Sequence, residues 1–363
     1  MHKSKIAVFT SSEAPITLEG IEIPELNPGE ILVRNEYTTL CRSDLYTYSG
    51  KRKEKTPTIL GHEIVGRIAA FGPASPKQDE RGAFLRIDDR VTWGIYASDP
   101  DSEMARAGIP QKGPDLFKYG HEQITKTSTL HGGLGEYTIL RANTPVAKLD
   151  ESVPLKVAAI INCAVATVAG AMRVAGKVRD KNVLISGAGM LGMIACAMSK
   201  TRGARQVIAL DVNAGRLEAA KAYGADAGIE VGEDAEEKLT AIFGKSNPFQ
   251  VLIELSGVAA AMEQTMEYLS VGGKAVWVGA TYPQRNLQIN AEKIVRKLLT
   301  ITGLHNYNQE DFIAAVQFIE EHHATFPFAE MIYDKFQLEE VNQAFEYALS
   351  ANPFRVGVRL NVK

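Results

Sequence analysis

Over the first 150 residues the apolar positions come in short runs set between glycines and prolines, for example Ile31 to Val33, Ile64 to Ile68 and Tyr137 to Leu140. Segments such as Arg90-Val-Thr-Trp and Glu136-Tyr-Thr-Ile-Leu have the β-branched and aromatic content of strands, so this half is expected to be mostly β, a partly closed barrel. Residues 97–131 are polar and weakly periodic and are expected to form a long lobe on that domain. From about 156 the pattern changes. An Ala-rich helical stretch leads to the apolar run Asn182 to Ser186. Then come a helix over Met190 to Arg202, a strand over Gln206 to Asp211, a helix over Ala214 to Tyr223 and a strand over Val251 to Leu255. A further apolar run, Lys274 to Val278, follows a Gly-Gly turn. Strands and helices alternating in this way predict a parallel sheet covered on both faces, a doubly wound α/β unit over 156–303. The tail predicts two helices (Asp311 to His322 and Leu338 to Leu349) and a last strand, Val356 to Leu360, which return to the first domain as 1–155 plus 304–363.

A chain of 363 residues is too long for one core, which agrees with two domains. A mean hydropathy of −0.10 and 23% charged residues predict an ordinary globular protein. The net charge is −3 and the cations are scattered, so neither nucleic acid nor an anionic membrane surface is expected as a partner. Val157 to Ala175, the longest apolar candidate, is interrupted by Asn162 and Arg173 and reads as a buried helix rather than a span. Ile6 to Phe9 is too short for the core of a signal peptide, and the expected location is the cytoplasm. The three cysteines, Cys41, Cys163 and Cys196, make no disulfide framework. They direct attention to metal ligation or nucleophilic chemistry.

Gly187-Ala-Gly189-Met190-Leu191-Gly192 has the form G-x-G-x-x-G, which alone is weak evidence. Here it follows an apolar strand, opens a helix, and is followed 19 residues after Gly192 by Asp211 at the end of the next strand. Gly187 suits the tight turn, Gly189 the approach of a pyrophosphate, and Gly192 close packing of helix on strand. The helix start offers free N–H groups to the phosphates. Asp211 is placed to accept bonds from the adenosine ribose hydroxyls and to repel a 2′-phosphate, which favours NAD; Arg216 is a second candidate in that region. The bland alternative is a tight strand–helix turn with no ligand.

Two thiols and an imidazole, at Cys41 (in Cys41-Arg-Ser43-Asp44), His62 (in Gly61-His62-Glu63) and Cys163, would make a three-ligand zinc set with a fourth position open. Spacing alone does not bring 41, 62 and 163 together. The order and spacing of five motifs, CRSD at 41–44, GHE at 61–63, INCAVAT at 161–167, GAGMLG at 187–192 and LDVN at 210–213, resemble the zinc-containing medium-chain dehydrogenase/reductase family from end to end. The resemblance implies a GroES-like catalytic domain beside a Rossmann domain, and one catalytic zinc per chain on Cys41, His62 and Cys163. It implies that Glu63 lies beside the metal and joins its shell during ligand exchange, that Asp44 orients His62, and that Thr167 lies near the nicotinamide. It further implies that zinc acts as Lewis acid on the substrate oxygen while Ser43 passes the hydroxyl proton toward solvent. Cys196 is expected in the core.

The chain departs from the family pattern twice. Tyr46 stands where a His often ends the proton relay, and a phenol with a pKa near 10 is a poor acceptor at neutral pH. In the lobe, Asp99, Ser102, Ala105 and Gly113 occupy the positions of four structural-zinc cysteines, so no structural zinc is expected. Trp93 and Ile95 are expected to line a partly apolar substrate cleft or else to be core. His121 and Glu122 could contact a polar or anionic substrate or belong to a solvated loop, and Lys51, Arg52 and Lys53 could serve an anionic group. The stretches CRSDLYTYSGKR and KYGHE resemble the branch associated with phosphonate catabolism and cyclitol processing, which tilts the substrate toward a hydroxylated molecule. The reading is a dehydrogenase acting on a small alcohol or its carbonyl product. A non-redox lyase or epimerase holding NAD tightly, and a non-catalytic binding protein, stay open beside it. A homodimer or homotetramer is expected, joined near 295–305.

Overall fold

Glycine- and proline-punctuated runs in the first half and alternating strands and helices in the second give two compact units. The computed structural model describes residues 3–232, 234–244 and 247–360. One unit comprises Met1–Ala166 with Asn308–Ala324 and Phe328–Lys363, the other Thr167–Tyr307 with Thr325–Pro327.

The first unit is organised by one long strand, Ile31–Leu40, whose β-branched and apolar residues are buried over most of its length. It pairs antiparallel with Glu63–Phe71 from Ile31↔Phe71 to Thr39↔Glu63. Its beginning also takes Tyr137–Leu140, and its end takes Arg355–Arg359, with Leu40 opposite Val356. Sheet order runs Ile332–Gln337, Arg355–Arg359, Ile31–Leu40, Glu63–Phe71, Arg90–Trp93, Val146–Lys148, with Tyr137–Leu140 also on the long strand. Three distant segments, near 40, 63 and 355, thus meet at one end of this sheet. One core packs Ile6, Val8, Leu40, Ile59 and Leu60 against Val341, Phe345 and Val358; another gathers Ile31, Val33, Ile64, Val91 and Trp93. The returning helix Gln309–His322 opens on an Asn308–Asp311 capping box, which satisfies free N–H groups at its start.

The second unit is a six-stranded parallel sheet in the order Ala227–Glu230, Gln206–Asp211, Asn182–Ser186, Phe249–Glu254, Leu269–Trp277, Thr300–Gly303. Asn182–Ser186 is buried at every position, as expected of a strand covered on both faces. Chain direction across the sheet reverses between this strand and Phe249–Glu254, the switch point at which such folds bind ligands.

The structure differs from the sequence reading in several places. The units divide at Ala166 rather than at 155, because Leu155–Ala159 and Ile161–Val165 pack on Ile31–Leu40 and Glu63–Phe71. Helix Ala235–Phe243 and strand Ala227–Glu230 have no counterpart in the expected elements. The Gly272-Gly273 pair, read as a turn, lies within strand Leu269–Trp277. Leu155–Ala175 is the one candidate among the described residues long and apolar enough to cross a membrane, and it is mostly buried inside the protein.

Candidate functional site

Cys41 caps the helix Arg42–Tyr48 that begins where the long strand ends. Asp44, at the third helical position, accepts a bond from the Cys41 backbone N–H at 2.8 Å and closes a capping box. Its other oxygen accepts from Gly61 N–H at 3.1 Å and lies 3.5 Å from His62 Nδ1. A buried carboxylate therefore ties the two segments together at the two candidate ligands. Gly61 has φ +89°, a left-handed conformation that an L side chain rarely adopts, and it delivers His62 into the site. Cys163 sits in a π-helical turn, Ile161–Val165, a local widening that often accompanies functional positions. The neighbouring Asn162 amide donates to His62 O and Trp93 O, both at 2.9 Å, and fixes this turn against the histidine segment.

The result is a cluster in which the candidate ligand atoms of Cys41, His62 and Cys163 lie within 4.8 Å of one another, with the two sulphurs 3.9 Å apart. Two thiolates bound tetrahedrally at about 2.3 Å would stand about 3.8 Å apart, so the cradle fits zinc. The two sulphurs are close enough for one thiol to donate to the other. The hydrogen bond from Cys163 holds Cys41 well below the ordinary thiol value against the effect of burial, and that bond and burial push Cys163 up. Burial opposes protonation of His62, but the Asp44 charge outweighs it and holds the imidazole well above its usual value. Soft donors with an imidazole select zinc over oxygen-seeking cations.

Behind the triad lies a group the sequence reading did not identify. Arg355 Nη2 donates to Glu63 Oε1 at 2.8 Å, and Thr39 Oγ1 donates to Glu63 Oε2 at 2.5 Å; all three residues are buried. Burial pushes Glu63 up to about 7 in spite of Arg355, whose guanidinium is held firmly charged by Glu63 and the two cysteines despite its own burial. The only signal in the sequence is a cation inside the apolar terminal strand.

In the second unit each of the three glycines sits where a side chain would clash or where open space is needed. Gly187 has φ +96°, and a Cβ there would come 2.9 Å from Ser256 N. A Cβ on Gly192 would meet Gly187 O at 2.0 Å, so helix and strand could not pack. Gly189, which caps helix Met190–Thr201, has open space beside it, as a phosphate would need. Met190 is buried and Leu191 half-buried at the helix start. Asp211 accepts from Ala188 N–H at 2.6 Å and Asn213 N–H at 2.9 Å, so its carboxylate braces the glycine turn and keeps lone pairs to spare. Arg216 lies on the following helix, Ala214–Ala222. Glu254, also missed in the sequence, is buried at the neighbouring strand end. It accepts from Ser256 and Gly257 N–H groups at 2.9 and 3.1 Å, holding the turn that faces Gly187.

Residues 27–151 match the alcohol dehydrogenase GroES-like domain and residues 191–321 match the zinc-binding dehydrogenase domain. An L-threonine 3-dehydrogenase of Saccharopolyspora erythraea is 31% identical over 313 residues, 84% of each chain. The chain belongs to the zinc-containing medium-chain dehydrogenase family. A second L-threonine 3-dehydrogenase, from Aeromonas hydrophila, is 27% identical over 95% of this chain and 96% of its own. The fold matches that of an alcohol dehydrogenase from Thermotoga maritima (TM-score 0.93, 24% identity) and of galactitol-1-phosphate dehydrogenase from Escherichia coli (0.84, 22%); each match covers 99% of this chain and 100% of the other. The protein is a dehydrogenase, a nicotinamide- and zinc-linked alcohol oxidoreductase.

Ser43 and Tyr46 are half-buried on the Arg42–Tyr48 helix, with Lys51 Nζ 5.9 Å from the centre of the Tyr46 ring. Thr167 is half-buried at the start of Ala166–Ala175, in the second unit. Of the two expectations for Trp93 and Ile95, the structure gives the core: both are buried, Trp93 at 0% exposure at the end of a strand interior to the sheet and Ile95 just beyond that strand. Arg52 is committed to Glu54 at 2.7 Å rather than offered to an anion. His121 is not part of a solvated loop: it is mostly buried, with its ring centre 5.0 Å from that of His62. Glu122 does stabilise a loop, accepting from Lys118 N–H at 3.1 Å and, through its carbonyl, from Thr58 Oγ1 at 2.6 Å. In the lobe, Ser102 caps Glu103–Arg106 and donates to Asp99 O at 2.8 Å, so local capping fills the places of the absent cysteines. Cys196 is buried in helix Met190–Thr201, and burial pushes its thiol up to about 12.

Proposed function

We propose that this dehydrogenase oxidises, with NAD, an alcohol that carries further polar groups. Candidates are a polyol or cyclitol, a β-hydroxy amino acid of the kind its threonine-dehydrogenase relatives are named for, or a phosphonate-type hydroxy compound. One zinc would be held by Cys41, His62 and Cys163, and the 3.9 Å sulphur pair with an imidazole in reach is the observation that carries the reading. When bound, zinc would polarise the substrate oxygen and the nicotinamide would accept the hydride. Asp44 would keep His62 turned so that its second nitrogen serves as ligand. Glu63, braced by Arg355 and Thr39, would stand close behind the ligands, and Ser43 would take the hydroxyl proton. Gly187, Gly189 and Gly192 would hold the pyrophosphate, and the Asp211 charge supports NAD over NADP. Thr300–Gly303 is an outer strand, preceded by Val295 and Leu298 at about 70% exposure, which supports pairing of two copies there. A cytoplasmic location completes the reading.

The test is metal content together with turnover. Purified protein should carry one zinc per chain, lose it on Cys41→Ser, and reduce NAD with at least one member of a panel of polyols, cyclitols, hydroxy amino acids and hydroxyphosphonates. Wild-type protein that binds no zinc from a metal-buffered solution would overturn the reading.

A further inference from the structure

His62 has a second imidazole beside it. His121 reaches the ring of His62 from the loop that follows strand Phe117–Lys118, with centroids 5.0 Å apart and planes inclined at 35°. Its Nδ1 lies 3.0 Å from Glu54 Oε1, and that same oxygen receives Arg52 Nε at 2.7 Å. The three form a chain, Arg52–Glu54–His121, in which His121 and Glu54 are each only 11% exposed. Burial works against the charge on Glu54, but the hydrogen bond from His121, helped by the nearby Arg52 guanidinium, holds that carboxyl below its ordinary value. A carboxylate can only accept, so His121 Nδ1 must donate, which fixes the tautomer and leaves Nε2 with a lone pair. Nε2 has no hydrogen-bond partner among the described residues and is not sealed from solvent. The backbone holds the loop in place: His121 N–H donates to Lys118 O at 3.2 Å and Gly120 N–H to His131 O at 2.8 Å.

A preoriented acceptor next to a candidate metal ligand has no use for an alcohol whose only polar group is the one being oxidised. It has a use for a substrate with a second donor close to the reacting carbon. We propose that His121, positioned by Glu54 and Arg52, is a specificity-determining residue that accepts a hydrogen bond from a hydroxyl or ammonium group adjacent to the reacting carbinol. The substrate class is then a vicinal diol or a vicinal amino alcohol. This rests on the reading of Cys41, His62 and Cys163 as the zinc and substrate site. Glu54 and Arg52 act through His121 and are positioning residues.

The experiment compares butane-2,3-diol and 1-aminopropan-2-ol with butan-2-ol, on zinc-loaded wild-type protein and on H121F, H121Q and E54Q. Binding is measured by calorimetry in the presence of NADH, and kcat and KM with NAD. His121→Phe should weaken binding of the diol and the amino alcohol about tenfold, through KM more than kcat, and change butan-2-ol less than twofold. His121→Gln, which keeps a side-chain acceptor, should recover part of the loss, and Glu54→Gln should show a smaller selective loss. Melting temperature and zinc content report whether each variant is folded and loaded. Equal losses for all three compounds, or no preference of the wild type for a vicinal donor, would overturn the role of His121 while leaving the dehydrogenase reading in place. Absence of zinc, with no turnover of any alcohol, would instead break the site reading, and the calorimetric comparison would still report on His121.

Discussion

The two candidate sites are built in opposite ways. The cradle in the first unit is made of side chains from residues 39, 41, 44, 62, 63, 163 and 355, gathered from across the chain by strand pairing and one π-helical turn. The glycine turn in the second unit is made of backbone: six consecutive residues, their clearances, and one carboxylate at the end of the neighbouring strand. The first kind of site is sensitive to the chemistry of each side chain and the second to the volume of each residue.

Substitution can break this contrast, and the largest effect belongs to the cradle. Cys163→Ser keeps the size of the residue and should abolish stoichiometric zinc, lowering kcat/KM at least about a thousandfold, or about 4 kcal/mol, with little change in secondary structure by circular dichroism. Gly192→Ala should do the reverse. The added methyl meets backbone 2.0 Å away, so stability should fall by about 3 kcal/mol and NADH binding should be lost while zinc is retained.

A third prediction concerns pH. His131 is buried beside Phe117, neither ring nitrogen has a partner among the described residues, and burial pushes it down to about 4, with Arg141 and His121 acting in the same direction. The unfolded chain binds this proton below about 6.5 and the folded chain only near 4, so stability falls as pH drops through that window. At pH 4 the loss approaches about 3 kcal/mol. Denaturant unfolding at pH 7 and pH 4.5 should show His131→Phe with a shallower acid limb than the wild type; parallel curves would remove His131 from the account. The smallest effects sharpen the contrast. Asp211→Ser should shift the NAD/NADP preference about tenfold toward NADP. Tyr46→His should move the pH–rate profile downward, and an unchanged profile would take Tyr46 out of the proton path.

The same contrast explains what could be read in the chain before folding. The glycine turn was legible because strand, turn and helix follow one another in sequence and each glycine answers a local steric demand. Cys41, His62 and Cys163 were legible only through motif resemblance, since 122 positions separate the two sulphurs that the structure brings to 3.9 Å. Arg355, Thr39 and Asn162 escaped because their roles exist only once the long strand has neighbours on both sides. His121 was legible as a possible substrate contact, but its place beside His62 and its support by Glu54 were not, because residues 54, 62 and 121 meet only in the folded chain. Ala235–Phe243 was missed because its charged first turn masks a short apolar face that buries Leu239. For Trp93 the sequence left a cleft and the core open, and burial in a strand interior to the sheet favours the core.

The position of Arg355 has a consequence for biosynthesis. All three candidate ligands have been made by residue 163, whereas the cation that neutralises Glu63 comes about 190 residues later. At ordinary elongation rates that gap lasts roughly ten to forty seconds. During this time a nascent chain would offer metal ions a cluster with surplus negative charge and an unfinished sheet edge. The order of synthesis thus completes the candidate ligand set long before its balancing cation.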